Sequence, residues 1–190
     1  MTDEHEVRAR IVAAADALYY DRGIHEVGMD AVREASGLPL KRIYSVFPSK
    51  ADLVVAVLTE RRRVWDRGLA EAMTAQSGPR GQLLAIFDYL RQWFESEDFR
   101  GCIFINSYGE SGATSDPVRA VVRAQKAEFQ RLVERLSLEA GGTPTLARQL
   151  ALLAEGAQTS AAIAHDPSWA DDARAAAESL IDLALDRRAA

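Results

Sequence analysis

The chain of 190 residues holds one cysteine, Cys102. No disulfide can close within it, and that usage fits a reducing compartment. Histidine is nearly as scarce. His5, His25 and His165 are scattered, with no His-x-x-x-His pair and no cysteine cluster beside them, so we expect no metal site and no cofactor. No apolar run approaches the roughly 18 residues of a membrane span. The opening Met1-Thr2-Asp3-Glu4-His5-Glu6 is polar and acidic, unlike a signal peptide. These absences predict a cytoplasmic protein with no membrane partner. Glycine and proline together number 18, too few for a collagen-like or low-complexity chain. No stretch alternates apolar and polar residues as a half-buried strand does.

What is present is helical periodicity around enough apolar material, 48% of residues, to bury a real core. In the first helix Val7, Ile11, Ala15 and Leu18 share a face. Asp3 and Glu6 offer a capping pair, and Gly23 a stop. Short helices follow over 29–35 and 40–47, the second begun by Pro39, whose missing N–H costs little in a first turn. Pro48 breaks the chain, and Ser49-Lys50-Ala51-Asp52 is a capping box for a long fourth helix through Leu53, Val57, Val64 and Leu69. Residues 77–81 read as a loop. A fifth helix carries Leu83 to Phe94, a short sixth covers 102–108, and a seventh starts at Asp116-Pro117. Thr143-Pro144 opens an eighth, and a ninth runs from Trp169 to about Arg187. About nine helices and no strands predict an all-α fold. The break at Pro48 suggests domains at 1–48 and 49–190.

The net charge of −5 argues at first against a nucleic-acid partner, but its distribution does not. Residues 1–67 are balanced, with eleven basic and eleven acidic side chains. Within residues 36–63, Lys41, Arg42, Lys50, Arg61, Arg62 and Arg63 outnumber Asp52 and Glu60 by four. Such an excess is either an electrostatic footprint or a solvated helix face. The two short helices meet at a tight turn, Ser36-Gly37, as in a helix-turn-helix, whose second helix enters the major groove. Val32, Ala35, Leu38, Ile43 and Phe47 are placed to glue the pair to helix one. That leaves Leu40, Lys41, Arg42, Tyr44 and Ser45 on the exposed rim. A structural helix hairpin would show the same pattern.

Leu18-Tyr19, Gly23, Ala35-Ser36-Gly37-Leu38, Ile43-Tyr44 and, most specifically, Tyr44-x-x-Phe47-Pro48-Ser49-Lys50 with Leu53 resemble the DNA-binding region of TetR/AcrR-type one-component regulators over about residues 7–58. The resemblance implies an N-terminal three-helix helix-turn-helix domain. A helical ligand-binding domain would follow, ending in two dimerisation helices. It implies a homodimeric, ligand-responsive transcriptional regulator, a repressor released by a small-molecule effector from a double-stranded operator, an inverted repeat. It also puts Leu40, Lys41, Arg42, Tyr44 and Ser45 against that operator and Lys50 on a phosphate at a helix N-terminus, where free N–H groups also favour an anion. Arg42 has the planar fork that can pair with guanine or clamp a phosphate. The chain departs from the family pattern at Gly28, Pro39, Lys41 and Arg42, so no operator sequence carries over.

An effector pocket needs apolar walls with a few polar groups. Trp65, Phe87, Leu90, Trp93, Phe94, Phe104 and Phe129 could supply the walls, and Asn106 and Tyr108 the polar groups. Aromatics at helical spacing are equally an ordinary core. If the sixth helix runs on, Cys102, Asn106 and Glu110 share a face. The stretch Arg100-Gly101-Cys102-x-Phe104-x-Asn106 resembles one branch of the same regulators. By resemblance the dimer face is built from Leu150, Leu153, Ala157 and Ala161 on the eighth helix and Ala177, Leu180, Ile181 and Ala184 on the ninth. Packing within one chain explains the same pattern. Two alternatives remain: a helical binding module without DNA, tested by whether 40–45 is buried, and a small helical enzyme. The latter finds little support, because Gly109-Glu110-Ser111-Gly112 is one residue short of a nucleophile elbow and follows no strand.

Overall fold

The computed structural model describes residues 2–96 and 99–189. Every regular element among them is a helix: α1 (Thr2–Arg22), α2 (Met29–Ser36), α3 (Leu40–Val46), α4 (Lys50–Thr74), α5 (Gly78–Phe94), α6 (Ile103–Ser111), α7 (Asp116–Glu139), α8 (Pro144–Ala164) and α9 (Trp169–Ala189).

The start and stop chemistry explains the boundaries. Gly23 ends α1 at φ +84 and Gly37 ends α2 at φ +64, left-handed conformations that glycine adopts without strain. Asp52 N–H donates to Ser49 Oγ (3.1 Å) while the Ser49 hydroxyl donates to the Asp52 carboxylate (2.6 Å), closing the N-terminus of α4. Thr143 Oγ1 accepts from Leu146 N–H at the start of α8. His165, at φ +52, ends it. One expected loop is mostly helix. Residue 78 already opens α5, because Gly78 takes φ +71 and Pro79 then pre-sets the first turn. The sixth helix begins at Ile103, not Cys102, and continues through Glu110.

The chain packs as two compact units. One gathers residues 1–63 with 103–125, the other residues 64–102 with 126–190. α4 and α7 each start in the first unit and end in the second, so these packing units do not follow the expected boundary after residue 48. In the first unit α2 lies against α1 and α3 against α2. Ile11, Ala15, Val32, Ile43 and Phe47 form their buried seam. Ala35, expected in that seam, is exposed, and Ser36 is buried instead. Ser36 stands four residues after Val32, so the two share the inward stripe.

In the second unit α5, α8 and α9 pack on one another around Leu83, Leu90, Leu136, Leu150, Ala154, Ala177 and Ile181. Alanines on α8 and α9 let the backbones approach closely. A ring cluster adjoins this core: Trp65 lies 5.0 Å from Tyr89, 5.4 Å from Trp93 and 6.3 Å from Phe129. Ion pairs Arg80–Asp182, Arg91–Asp171 and Arg174–Asp88 tie α5 to α9 along the rim. Exposed pairs of this kind contribute about 0–1 kcal/mol each and serve mainly to fix register.

Candidate nucleic-acid interface

α3 is seven residues long and is held by two side chains. Ile43 is fully buried and Phe47, its C-cap, nearly so. Four residues apart, these anchors turn everything between and before them outward. Lys41, Tyr44 and Ser45 are exposed, while Leu40 and Arg42 are half-buried. The rim expected from the sequence is therefore presented, and α3 carries no acidic residue. The Ser45 hydroxyl donates to the Arg42 carbonyl at 2.7 Å, so at rest it is turned onto its own helix. Gly28 caps α2 without a side-chain bond, as expected of a residue with no hydroxyl.

Two cations that sequence reasoning passed over frame this helix. Arg8 of α1 stacks its guanidinium 4.6 Å above the Phe47 ring. Arg10 arches over the turn between α2 and α3, where a Cβ on Gly37 would lie 2.7 Å from Arg10 Nη2. Gly37 is required for its φ, whereas the approach is to the tip of a flexible side chain that can shift. No local pattern points from an exposed arginine on α1 to a turn some 27 residues away.

The basic excess of residues 36–63 divides once partners are known. Arg61 is spent internally, 2.6 Å from Asp16 and stacked 4.3 Å over the Tyr20 ring. Arg63 pairs with Glu60 on its own helix. Lys50, in the first turn of α4, is half-buried. Burial lowers its pKa, and the charges of Glu110 and Glu26 oppose that by favouring the ammonium. Lys41 and Arg42 remain as the outward charges of α3.

The expected effector residues fall in both units. Phe87, Leu90, Phe94 and Phe129 are core of the second unit, and Trp65 and Trp93 are half-buried there. Phe104, Asn106 and Tyr108 belong to the first unit. Phe104 is buried, whereas Asn106 and Tyr108 stand at its surface. Cys102 precedes α6 and is buried beside Lys126 Nζ (3.4 Å), which Glu155 holds at 2.7 Å. It therefore shares no helical face with exposed Asn106, contrary to expectation.

The expected dimer residues divide by burial. Leu150, Ala157, Ala161, Ala177 and Ile181 are buried within their own chain. Leu150, Ala161, Ala177 and Ile181 face the core of the second unit, whereas Ala157 also lines the groove between α8 and α9. Leu153, Leu180 and Ala184 are half-buried. Leu153 and Leu180 line a groove of about 520 Å³ with Leu152, Gly156, Ser160 and Trp169. Leu152 is 72% exposed and Ile163 77%. The signal that could have found them was the second apolar stripe of α8, which a reading centred on small residues overlooked.

Known proteins agree with this geometry. The family model for bacterial regulatory proteins of the tetR family matches residues 11–57, and that for the tetracyclin repressor-like C-terminal domain matches 79–177. The latter alone spans more than half of the chain. The protein belongs to the TetR family of bacterial regulatory proteins. Among relatives it is 29% identical over 152 residues to the HTH-type transcriptional activator FasR of Mycolicibacterium smegmatis. That alignment covers 77% of this chain and 66% of FasR, just under two thirds. It is 24% identical to the HTH-type transcriptional regulator LmrA of Bacillus subtilis over 144 residues, covering 75% of this chain and 77% of that one. A crystal structure of a TetR-family transcriptional regulator from Streptomyces coelicolor superposes with a TM-score of 0.88 at 27% identity, over 94% of this chain and 90% of the other.

Proposed function

We propose that the protein works as a homodimeric cytoplasmic repressor that grips an inverted-repeat operator with one α3 from each subunit and leaves it when a small molecule binds. The observation that carries this reading is α3 itself, anchored by Ile43 and Phe47 and presenting Lys41, Arg42, Tyr44 and Ser45 outward. A helix this short reads only a few base pairs, so two-fold symmetry is needed to build a site of useful specificity. The apolar groove between α8 and α9, lined by Leu152, Leu153, Ala157, Trp169 and Leu180, supports the dimer, because a monomer rarely leaves such a patch in water.

In this reading Lys41, Arg42, Tyr44 and Ser45, with Leu40 contributing an apolar edge, touch base edges and backbone. Lys50 meets a phosphate at the start of α4. The effector sits against the half-buried Trp65 and Trp93 near Phe129 in the second unit. Trp65 and Lys50 lie on the same helix, so a ligand that favours one setting of α4 over another shifts the equilibrium between bound and free regulator. The protein is a binder of two partners and not an enzyme. FasR is named an activator, so the sign of regulation needs its own test: a reporter behind the selected operator should be silenced by the protein, and stimulation would make this an activator too.

Selection of bound fragments from random duplexes with purified protein tests the whole. The expected site is an inverted repeat with half-sites about one helical turn, or a multiple of it, apart. Arg42→Ala should weaken that site by about 1–3 kcal/mol and relax preference at one position. An equal loss on random DNA would make Arg42 a phosphate clamp only, and recovery of no repeat would sink the reading.

A further inference from the structure

Two arginines of α1 pass over the acids nearest to them. Arg8 and Arg10 each have a glutamate four residues earlier, Glu4 and Glu6, the spacing and order in which the two charges ordinarily pair along one helix. Arg8 instead lays its guanidinium 4.6 Å above the Phe47 ring. Arg10 turns to the bend between α2 and α3, where a Cβ on Gly37 would lie 2.7 Å from its Nη2. Both arginines are exposed, and among the described residues neither makes an ion pair. Arg33, Arg61 and Arg63 of the same unit each sit on an acid.

α3 lies between the two guanidinium groups. Gly37 caps α2 in the turn before it, and Phe47 is its own C-cap. Seven helical residues span about 10 Å, so Arg8 and Arg10 flank the helix from opposite ends. We propose that they contact the DNA backbone, a strip on α1 that holds one phosphate at each end of α3. The inference rests on the reading of α3 as the helix that enters the major groove. That groove is about 12 Å wide, with phosphates along both rims, so cations at the ends of the helix that fills it stand within a side chain's reach of them. Stacking on a ring occupies the face of a guanidinium and leaves its N–H edge free, and a planar fork already held in place suits a phosphate. Such contacts read no base. They fix the register in which Lys41, Arg42 and Tyr44 meet the bases.

Salt dependence tests the strip in full-length protein. Arg8→Met keeps an apolar chain over Phe47 without the charge, and Arg10→Gln keeps a polar chain over the turn. Each should lower the slope of log K against log[salt] by about 0.9, and the double variant by about 1.8. Each should weaken the selected operator and a random duplex by the same factor. Arg131→Gln, on α7 in the other unit, controls for net charge and should leave the slope alone. An equal fall there makes the effect a general one and overturns the contacts. A slope that holds in either variant, with or without a lower thermal midpoint, reduces that arginine to packing and removes the strip. Arg8→Lys keeps the charge and should keep the slope. A fall as large as in Arg8→Met would assign the loss to packing and count against the phosphate. Loss confined to the operator means that the arginines serve base reading, which also refutes the proposal. If the unaltered protein binds no duplex at all, the reading of α3 fails and the strip with it, an outcome distinct from binding with unchanged slopes.

Discussion

α3 and the α8–α9 pair solve opposite problems. α3 has seven residues and two anchors, so its inward stripe is unambiguous, and Lys41, Tyr44 and Ser45 are left exposed. α8 and α9 have 21 residues each and carry apolar side chains both in the core and at the surface. One stripe, with Leu150, Ala154, Ala161, Ala177 and Ile181, closes the core of its own chain. The other, with Leu152, Ile163 and Leu183, stays in water. The lesson is that a short helix exposes its function through what it cannot bury, whereas a long apolar one hides it among residues that could all be core.

Three substitutions sharpen that contrast, taken from the largest effect down. Phe47→Ala removes a ring that is 2% exposed and stacked under Arg8. It should cost about 3–5 kcal/mol of stability and lower the thermal midpoint together with operator binding. A stable variant that merely lost DNA would make Phe47 a contact and not an anchor. On the other side, Leu150→Ala should cost about 2–5 kcal/mol by leaving a cavity, without dissociating the proposed dimer. Leu152→Glu should leave the subunit fold near its original stability while giving monomers in sedimentation. If Leu152→Glu remains a dimer, the interface is not on this stripe.

The smallest effect is an alkaline one. Burial in the first unit raises the Tyr19 phenol from 10.0 to about 12, and its hydroxyl has no hydrogen-bond partner among the described residues. A phenol whose pKa is higher folded than unfolded contributes fully below pH 10 and loses that contribution as pH rises to 12. The loss is about 1.4 kcal/mol per pH unit across that window. Tyr19→Phe should flatten this limb and leave neutral-pH stability equal or slightly higher, since it removes an unsatisfied buried oxygen. Chemical denaturation at pH 8 and 11 measures both. An unchanged alkaline limb would assign the loss to other groups.

How much of this was legible beforehand varies with the distance over which the relevant interaction acts. Gly23, Gly37, Ser49 with Asp52, and Thr143 with Pro144 announced helix ends because capping is chemistry between near neighbours. Gly78 and Ile103 shifted two boundaries by a few residues, since a glycine or cysteine gives no strong signal for either state. The rim of α3 was readable from Ile43 and Phe47. The roles of Arg8, Arg10 and Glu110 were not, because each meets a partner between about 27 and 85 residues away. Asn106 stands at the surface of α6 while Phe104 and Ser107 are buried, because the packing of α6 chose the face that turns inward.

By itself the sequence determined the helices, their ends and the outward chemistry of α3, all set by spacing along one chain. The tertiary structure alone decided which apolar stripe of α8 is core, which arginines are neutralised by acids, and that a carboxylate of α6 accepts from His25 N–H. Those outcomes depend on which surfaces meet, and a periodic pattern is silent about its partner.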